Sequence, residues 1–241
     1  MPSVILKYLK WPLIFVAVLW AIEGMSVYFN FRLYEFGIIP RTISGIPGIF
    51  LSPFIHGNYE HLLSNTLPLL VIGTGMIYFY RGIAIRVIGM IWLFTGFWVW
   101  LAARSSSHIG ASGIIYGLVC FLFFSGLLRK DTRLLAVSML VVFLYGSMVW
   151  GILPVDQTIS WESHLFGSVA GIFCAIYFRK LGPQRPKLQW EIDEELEDLN
   201  DSEDEGMEDM SEEDKNNEEI IIKYDYIDKK DSPNEEGGNK G

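Results

Sequence analysis

The stretch that decides the fold is GASGIIYGLVCFLFFSGLL, residues 110–128. It follows the polar segment 104–108 and is itself followed by the basic pair Arg129 and Lys130. The apolar run from Gly113 to Leu128 would be about 24 Å long as a helix, whereas a bilayer core is about 30 Å thick. If the run ends at the basic pair, Ser112 lies inside the membrane at the first turn of a short helix.

The rest of the chain is also rich in apolar runs, since 51% of its 241 residues are hydrophobic. Six runs reach or approach the length that spans a bilayer. They are residues 11–29, 60–80, 82–102, 113–128, 134–153 and 164–178. This pattern predicts an all-α polytopic membrane protein, with a six-transmembrane-helix bundle over residues 1–182. The loop at 30–58 is rich in glycine and proline, and we expect it at the membrane interface.

Charge divides the chain into two parts. There are 14 basic and 6 acidic residues up to Gln189, and 5 basic and 22 acidic residues from Trp190 onward. The basic residues gather at alternate ends of the runs, which predicts that both termini are cytoplasmic. We expect the membrane to be a bacterial plasma membrane. Residues 183–241 cannot bury a core, so we expect a disordered acidic tail. Because the basic residues follow the positive-inside rule of membrane proteins, we expect the lipid bilayer as a partner and no nucleic acid.

Ser112 has an unusual setting for a serine within a membrane. Its glycine neighbours allow another backbone to come close. The start of a helix offers unpaired N–H groups and a partial positive charge. A hydroxyl beside such donors can be a nucleophile next to an oxyanion hole. The tetrapeptide taken alone favours the alternative, a small-residue packing motif between membrane helices.

His164 is the ionisable residue that best complements Ser112. It precedes Gly167 and Gly171, whose spacing lets two membrane helices approach closely. At three residues before Gly167, the imidazole shares this face and reaches Ser112 if the face packs on the fourth run. A neutral imidazole there takes the serine proton and returns it to a leaving amine. The alternative is a histidine that is hydrogen-bonded near the interface.

His61 and Asn65 open the second run and point to one helical face. Together with the Ser112 N–H, they can donate hydrogen bonds to a developing oxyanion. The alternative for this pair is interhelical hydrogen bonding that holds a bundle together. A metal site would need several ligands at one depth, and His56, His61 and His164 could supply three. Without an H-E-x-x-H motif, we rank a metalloprotease below serine chemistry.

Taken together, three motifs resemble the rhomboid intramembrane serine proteases over roughly residues 11–179. They are Gly110-x-Ser112-Gly113, His164-x-x-Gly167-x-x-x-Gly171 and His61-x-x-x-Asn65. The resemblance implies Ser112 as nucleophile and His164 as general base, a dyad without a third acid. It implies an oxyanion hole formed by His61, Asn65 and the Ser112 N–H.

The resemblance also implies supporting residues. Tyr116 matches a tyrosine that packs against the catalytic imidazole, and His56 matches a histidine that commonly precedes the second span. Gly110, Gly113, Gly167 and Gly171 match the glycines of the motifs. The first outer loop departs from many bacterial members, because it carries Glu35-Phe36-Gly37-Ile38-Ile39-Pro40-Arg41 in place of a Trp-Arg pair.

The implied activity is an intramembrane serine endopeptidase that uses a Ser-His dyad and needs no cofactor and no metal. Its implied partners are transmembrane protein substrates, namely single-span proteins cut within or near the outer end of the membrane segment. Helix-breaking residues there would let the substrate backbone extend toward Ser112. The alternative is a non-catalytic rhomboid-like protein that binds membrane helices. A small-solute transporter would have an inverted repeat and a charged central path, which the sequence lacks.

Overall fold

A computed structural model describes residues 2–144, 150–155 and 159–182, together with 192–194 and 196–197. This part of the chain is helical throughout, apart from turns, loops and one isolated antiparallel bridge between Ile38 and His108. The helices are α1 (Pro2–Phe29), α2 (Gly48–Leu51), α3 (Tyr59–Phe79), α4 (Ala84–Ala102), α5 (Ser112–Arg129), α6 (Thr132–Leu144) and α7 (Trp161–Tyr177). The all-α prediction is therefore confirmed over the described residues.

The chain divides into two units, Met1–Pro186 and Lys187–Gly241. Helices α1 to α7 all belong to the first unit. Apart from residues 192–194 and 196–197, the predicted acidic tail lies outside the described residues.

Four helices in the described ranges are long and apolar enough to cross a membrane. They are Leu6–Phe29 within α1, and the whole of α3, α4 and α5. The fifth run, predicted as one helix over 134–153, is helical from Thr132 to Leu144 and forms a 3₁₀ turn at Trp150–Ile152. Residues 145–149 between them are not described. The sixth helix begins three residues earlier than predicted, at Trp161, which places His164 one turn inside α7.

The central helix is α5. Its apolar window is 72% buried, whereas those of the other three candidate spans are 22% to 39% buried. It packs against α3, α4, α6 and α7, and a helix that is apolar on every side is suited to this position. The core formed around it includes Phe121 and Leu122, both fully buried. The site therefore starts from the most enclosed helix of the bundle.

Backbone contact joins α5 to α7. A Cβ atom added at Gly167 would lie against the carbonyl oxygen, carbonyl carbon and Cα of Gly113. One added at Gly171 would meet the same three atoms of Gly117. With no side chain in between, the two helices approach as closely as membrane helices can. The glycine face predicted on α7 thus packs against two glycines of α5 that have the same four-residue spacing.

Arg129 fastens the C-terminal ends of the same two helices. Its Nη2 donates hydrogen bonds to the carbonyl oxygens of Phe178, at 2.8 Å, and Leu181, at 2.6 Å. Its guanidinium also lies over the ring of Tyr80, 5.3 Å from the ring centroid. Helices α5 and α7 are therefore held together by the glycine contacts along their length and by Arg129 at their C-terminal ends. Together these contacts fix the register of the two N-terminal ends.

Arg41 anchors the loop before α3. Its Nη1 donates to the carbonyl oxygen of Ala103 at 2.8 Å, and its Nη2 donates to Ser105 Oγ at 3.3 Å. In return, the indole N–H of Trp100 donates to the carbonyl oxygen of Thr42 at 2.9 Å. This loop contains α2 and the 3₁₀ helices Leu33–Phe36, Ile43–Gly45 and Ser52–Phe54. Arg41 and Trp100 thus link the loop to the end of α4. They differ from the Trp-Arg pair discussed above, because only the arginine belongs to the loop.

We expect Arg41→Ala to lower the free energy of unfolding by about 1 kcal/mol, because it removes hydrogen bonds from a charged donor. The thermal unfolding midpoint in detergent micelles measures the loss. Arg32→Ala is the matched control, since this arginine belongs to the same loop and caps no helix by its side chain. Equal midpoints for the two variants would contradict the anchoring role.

Candidate active site

The first residue of α5 meets the fourth residue of α7. Ser112 Oγ lies 2.8 Å from His164 Nε2, a hydrogen-bond distance. Both residues are largely enclosed, with 9% of Ser112 and 7% of His164 exposed. The residues are 52 positions apart in the chain, and the glycine contact between the helices brings them together. The structure therefore places the two predicted residues in direct contact.

The carbonyl group of Gly151 fixes the tautomer of His164. His164 Nδ1 lies 2.8 Å from this oxygen. Because a carbonyl oxygen only accepts, Nδ1 must carry the hydrogen, and Nε2 of the neutral imidazole is then an acceptor. The Ser112 hydroxyl donates to it. A general base needs this arrangement, with a free lone pair directed at the proton to be removed.

Tyr116 holds the imidazole plane. Its ring stacks on His164 with centroids 4.1 Å apart and an angle of 8° between the planes. Tyr116 is one turn after Ser112 on α5, so one helix supplies both the hydroxyl and the stacking surface. Stacking and the hydrogen bond from Nδ1 together leave the His164 ring little freedom to rotate.

His61 lies next to Gly110, two residues before Ser112. A Cβ atom built on Gly110 would be 2.8 Å from His61 Cε1, 2.9 Å from its Nε2 and 3.8 Å from Ser112 Oγ. Gly110 also has a φ of 105°, which L side chains rarely adopt. Glycine at this position therefore allows the imidazole and the hydroxyl to face one space.

Asn65 is one turn after His61 on α3 and is 4% exposed. Its Nδ2 has no hydrogen-bond partner among the described residues. A buried donor without a partner is costly, and such groups need an explanation. An amide that awaits a developing negative charge is one such explanation.

His56 packs its ring edge-on against His61, with centroids 5.1 Å apart and an angle of 67° between the planes. Burial, with a smaller contribution from His61, lowers the pKa of His56 to about 3. The ring is therefore neutral near pH 7 and supports His61 by contact. The supporting role that the resemblance implies for His56 stays a prediction.

A second polar cluster lies close by, and no motif in the sequence predicts it. His108 Nδ1 lies 2.6 Å from Ser160 Oγ, which is 2.7 Å from Ser163 Oγ. His108 Nε2 lies 3.0 Å from the carbonyl oxygen of Arg104, and Arg104 Nε lies 3.4 Å from Glu162 Oε1. This cluster links the loop before α5 to the first turn of α7.

The described residues contain no group of three or more His, Cys, Asp or Glu side chains placed to hold a metal ion. The two nitrogens of His164 already face Ser112 and Gly151. The metal alternative therefore gains no support from the described geometry.

Comparison with known proteins identifies the family that this arrangement resembles. The Rhomboid domain family model matches residues 45–181. Uncharacterized proteins of Mycobacterium tuberculosis and Mycobacterium bovis are each 35% identical over 172 residues, which is 68% of this chain and 72% of the relative. An uncharacterized protein of Mycobacterium leprae is 33% identical over 173 residues, 68% of each chain. The matched region includes α3 to α7 and every predicted site residue.

Proposed function

The chain belongs to the rhomboid family, typically intramembrane serine proteases, and on that premise we propose that it is an intramembrane serine endopeptidase. The observation that carries the proposal is the 2.8 Å contact between Ser112 Oγ and the acceptor nitrogen of His164. Its apolar helices and family make the chain an integral membrane protein. A packing role alone does not require a hydroxyl and an imidazole that face each other with matched donor and acceptor.

In the first half of the reaction, Ser112 Oγ attacks the scissile carbonyl carbon while its proton passes to His164 Nε2. The imidazolium keeps its Nδ1–H bond to the Gly151 carbonyl. The oxygen of the tetrahedral intermediate accepts hydrogen bonds from the Ser112 N–H, His61 and Asn65 Nδ2. His164 then gives its proton to the leaving amine, which departs and leaves an acyl group on Ser112.

In the second half, a water molecule attacks the acyl carbon and loses its proton to His164 Nε2. The same three donors hold the second tetrahedral intermediate. Collapse of this intermediate returns the proton to Ser112 Oγ and releases the new carboxyl end. No step requires a metal or cofactor, because the protein supplies the base and the oxyanion donors.

We further propose that α1 and the five helices α3 to α7 all traverse the bilayer of a bacterial plasma membrane, with both termini cytoplasmic. Ser112 and His164 then lie toward the outer side, at the N-terminal ends of α5 and α7. The substrates are single-span membrane proteins whose helices unwind near that level. By the family resemblance, α6 and the segment 154–162 form the gate and the cap. Residues 156–158 of that segment are not described.

The second candidate function is a non-catalytic protein that recognises membrane helices through the same fold. It is compatible with the family, since some rhomboid-like proteins are inactive. The contact between Ser112 and His164 favours the protease, because a binding protein has no use for an activated hydroxyl.

Labelling with a fluorophosphonate probe separates these two functions. We expect the purified protein in detergent to be labelled at Ser112, because a hydroxyl that donates to an imidazole reacts far faster than an ordinary serine. His164→Ala should remove the labelling although Ser112 is still present. Mass spectrometry of the labelled peptide identifies the residue. A wild-type protein that stays unlabelled under conditions that label a serine protease control would favour the non-catalytic function.

A further inference from the structure

His108 and Ser160 form a second histidine–serine pair next to the catalytic pair. His108 is four residues before Ser112, and Ser160 is four residues before His164. The two members of the second pair are 2.6 Å apart, and those of the first are 2.8 Å apart. Each chain segment thus contributes one residue to each pair, at equal spacing.

The hydrogen-bond directions in the second pair follow from its neighbours. The Arg104 carbonyl oxygen only accepts, so His108 Nε2 carries the hydrogen and donates to it. Burial lowers the pKa of His108, which keeps the imidazole neutral and its Nδ1 an acceptor. Ser160 therefore donates its proton to Nδ1, and Ser163 donates to Ser160 Oγ.

The charged groups around His108 belong to the same cluster. Arg104 lies on the loop before α5, and Glu162 lies in the first turn of α7. They are joined at 3.4 Å, both from Arg104 Nε and from its backbone N–H to Glu162 Oε1. The Arg104 Nη2 also donates to the carbonyl oxygen of Ile159 at 2.7 Å. Arg104 therefore adds further links between the loop and the start of α7 beside the contact of His108 with Ser160.

Ser163 connects this cluster to the helix contact below it. A Cβ atom added at Gly113 would lie 3.0 Å from the Ser163 carbonyl oxygen. Ser163, which precedes His164, is thus hydrogen-bonded to Ser160 through its hydroxyl. Its backbone packs against Gly113, which follows Ser112. A shift of the Ser160 hydroxyl would move the turn that carries His164.

We propose that His108 and Ser160 are positioning residues that set the separation of Ser112 and His164 in the reaction proposed above. Neither touches the reacting atoms. They act by joining the loop before α5 to the start of α7, so that the nucleophile and base meet in a fixed geometry. Misplacement of reacting groups by about 1 Å can cost about 10²-fold in rate, so a weak link here has a large kinetic effect.

The test compares Ser160→Ala with Ser160→Thr, using a purified single-span substrate protein in lipid vesicles. We expect Ser160→Ala to lower kcat by about 10-fold to 10²-fold, with KM unchanged within about twofold. Ser160→Thr keeps the hydroxyl and should retain a kcat within about threefold of wild type. The rate of fluorophosphonate labelling of Ser112 should follow kcat in both variants. A role in packing alone would not give this rescue by a hydroxyl.

Two further variants make the test specific to the pair. Ser26→Ala removes a half-buried serine that bonds the Phe31 carbonyl at the end of α1, and it should leave kcat unchanged. His108→Leu should lower kcat as Ser160→Ala does. The double variant should be no slower than the slower single variant, because both substitutions remove the same hydrogen bond between His108 and Ser160.

Several results would overturn this assignment. They are a wild-type kcat in Ser160→Ala, an equal loss in Ser160→Thr, a change confined to KM, and additive losses in the double variant. If instead cleavage does not depend on Ser112 at all, the proposed function itself fails. Ser112-dependent cleavage with no effect of Ser160→Ala would remove only the positioning role.

Discussion

Ser112→Ala should abolish cleavage of a membrane-tethered substrate, with a loss of about 10⁴-fold or more, because it removes the nucleophile itself. The remaining donors around the site cannot form an acyl intermediate without an attacking oxygen. The measurement is the rate at which a purified single-span substrate is cut in lipid vesicles. The thermal unfolding midpoint should change little, since only one hydrogen bond to His164 is lost.

Ser125→Ala is the matched control for this experiment. Ser125 is a fully buried serine on the same helix, 13 residues further along, so the chemical change and the helix are the same. This variant should cut at the wild-type rate. Unchanged cleavage by Ser112→Ala would defeat the proposed function, whatever the result for the control.

Gly167→Ala should damage both the stability and the activity of the protein. The added methyl group would occupy the position of the Gly113 backbone, and the helices α5 and α7 must separate to make room. Overpacking of this kind costs about 2 kcal/mol, and here the obstacle is backbone that cannot change its rotamer. The separation also moves His164 from Ser112, so we expect kcat to fall by about 10²-fold.

Gly89→Ala is the matched control, because a Cβ atom at Gly89 would have nothing within 4 Å. Both changes add one methyl group to a helical glycine, and only one of them meets another helix. Thermal midpoints and cleavage rates of the two variants should therefore differ strongly. If Gly167→Ala behaves like Gly89→Ala, close contact between the helices does not position the dyad.

The sequence was sufficient for the features that side-chain pattern and spacing encode. The glycines on α7 predicted a face that approaches another helix closely, and the same helix supplied His164. The setting of Ser112 and the family resemblance both indicated Ser112 as the partner, and the structure places the two side chains together. The matching spacing of Gly113 and Gly117 is equally visible in the sequence, once the partner helix is known.

Other parts of the site leave no such pattern. The group that orients His164 is the backbone carbonyl of Gly151, and every residue has a carbonyl. The start of α7 was predicted too late because Glu162 resembles a loop residue. In the structure, Glu162 is 3% exposed, and its carboxylate contacts Arg104 from a distant part of the chain. A hydropathy pattern predicts that such a charged residue is exposed, because the arginine that pairs with it lies far away in the sequence.

The fastening of α5 at Arg129 has one more consequence for the proposed reaction. From Arg129 to Ser112 the helix is rigid and about 25 Å long, so the nucleophile stands at a set height above the basic end of the bundle. A peptide bond can be attacked only where it passes that height. In a membrane-spanning substrate, the depth of a peptide bond in the membrane would therefore determine whether it is cut, ahead of the residue types around it. The length of α5 would set that depth.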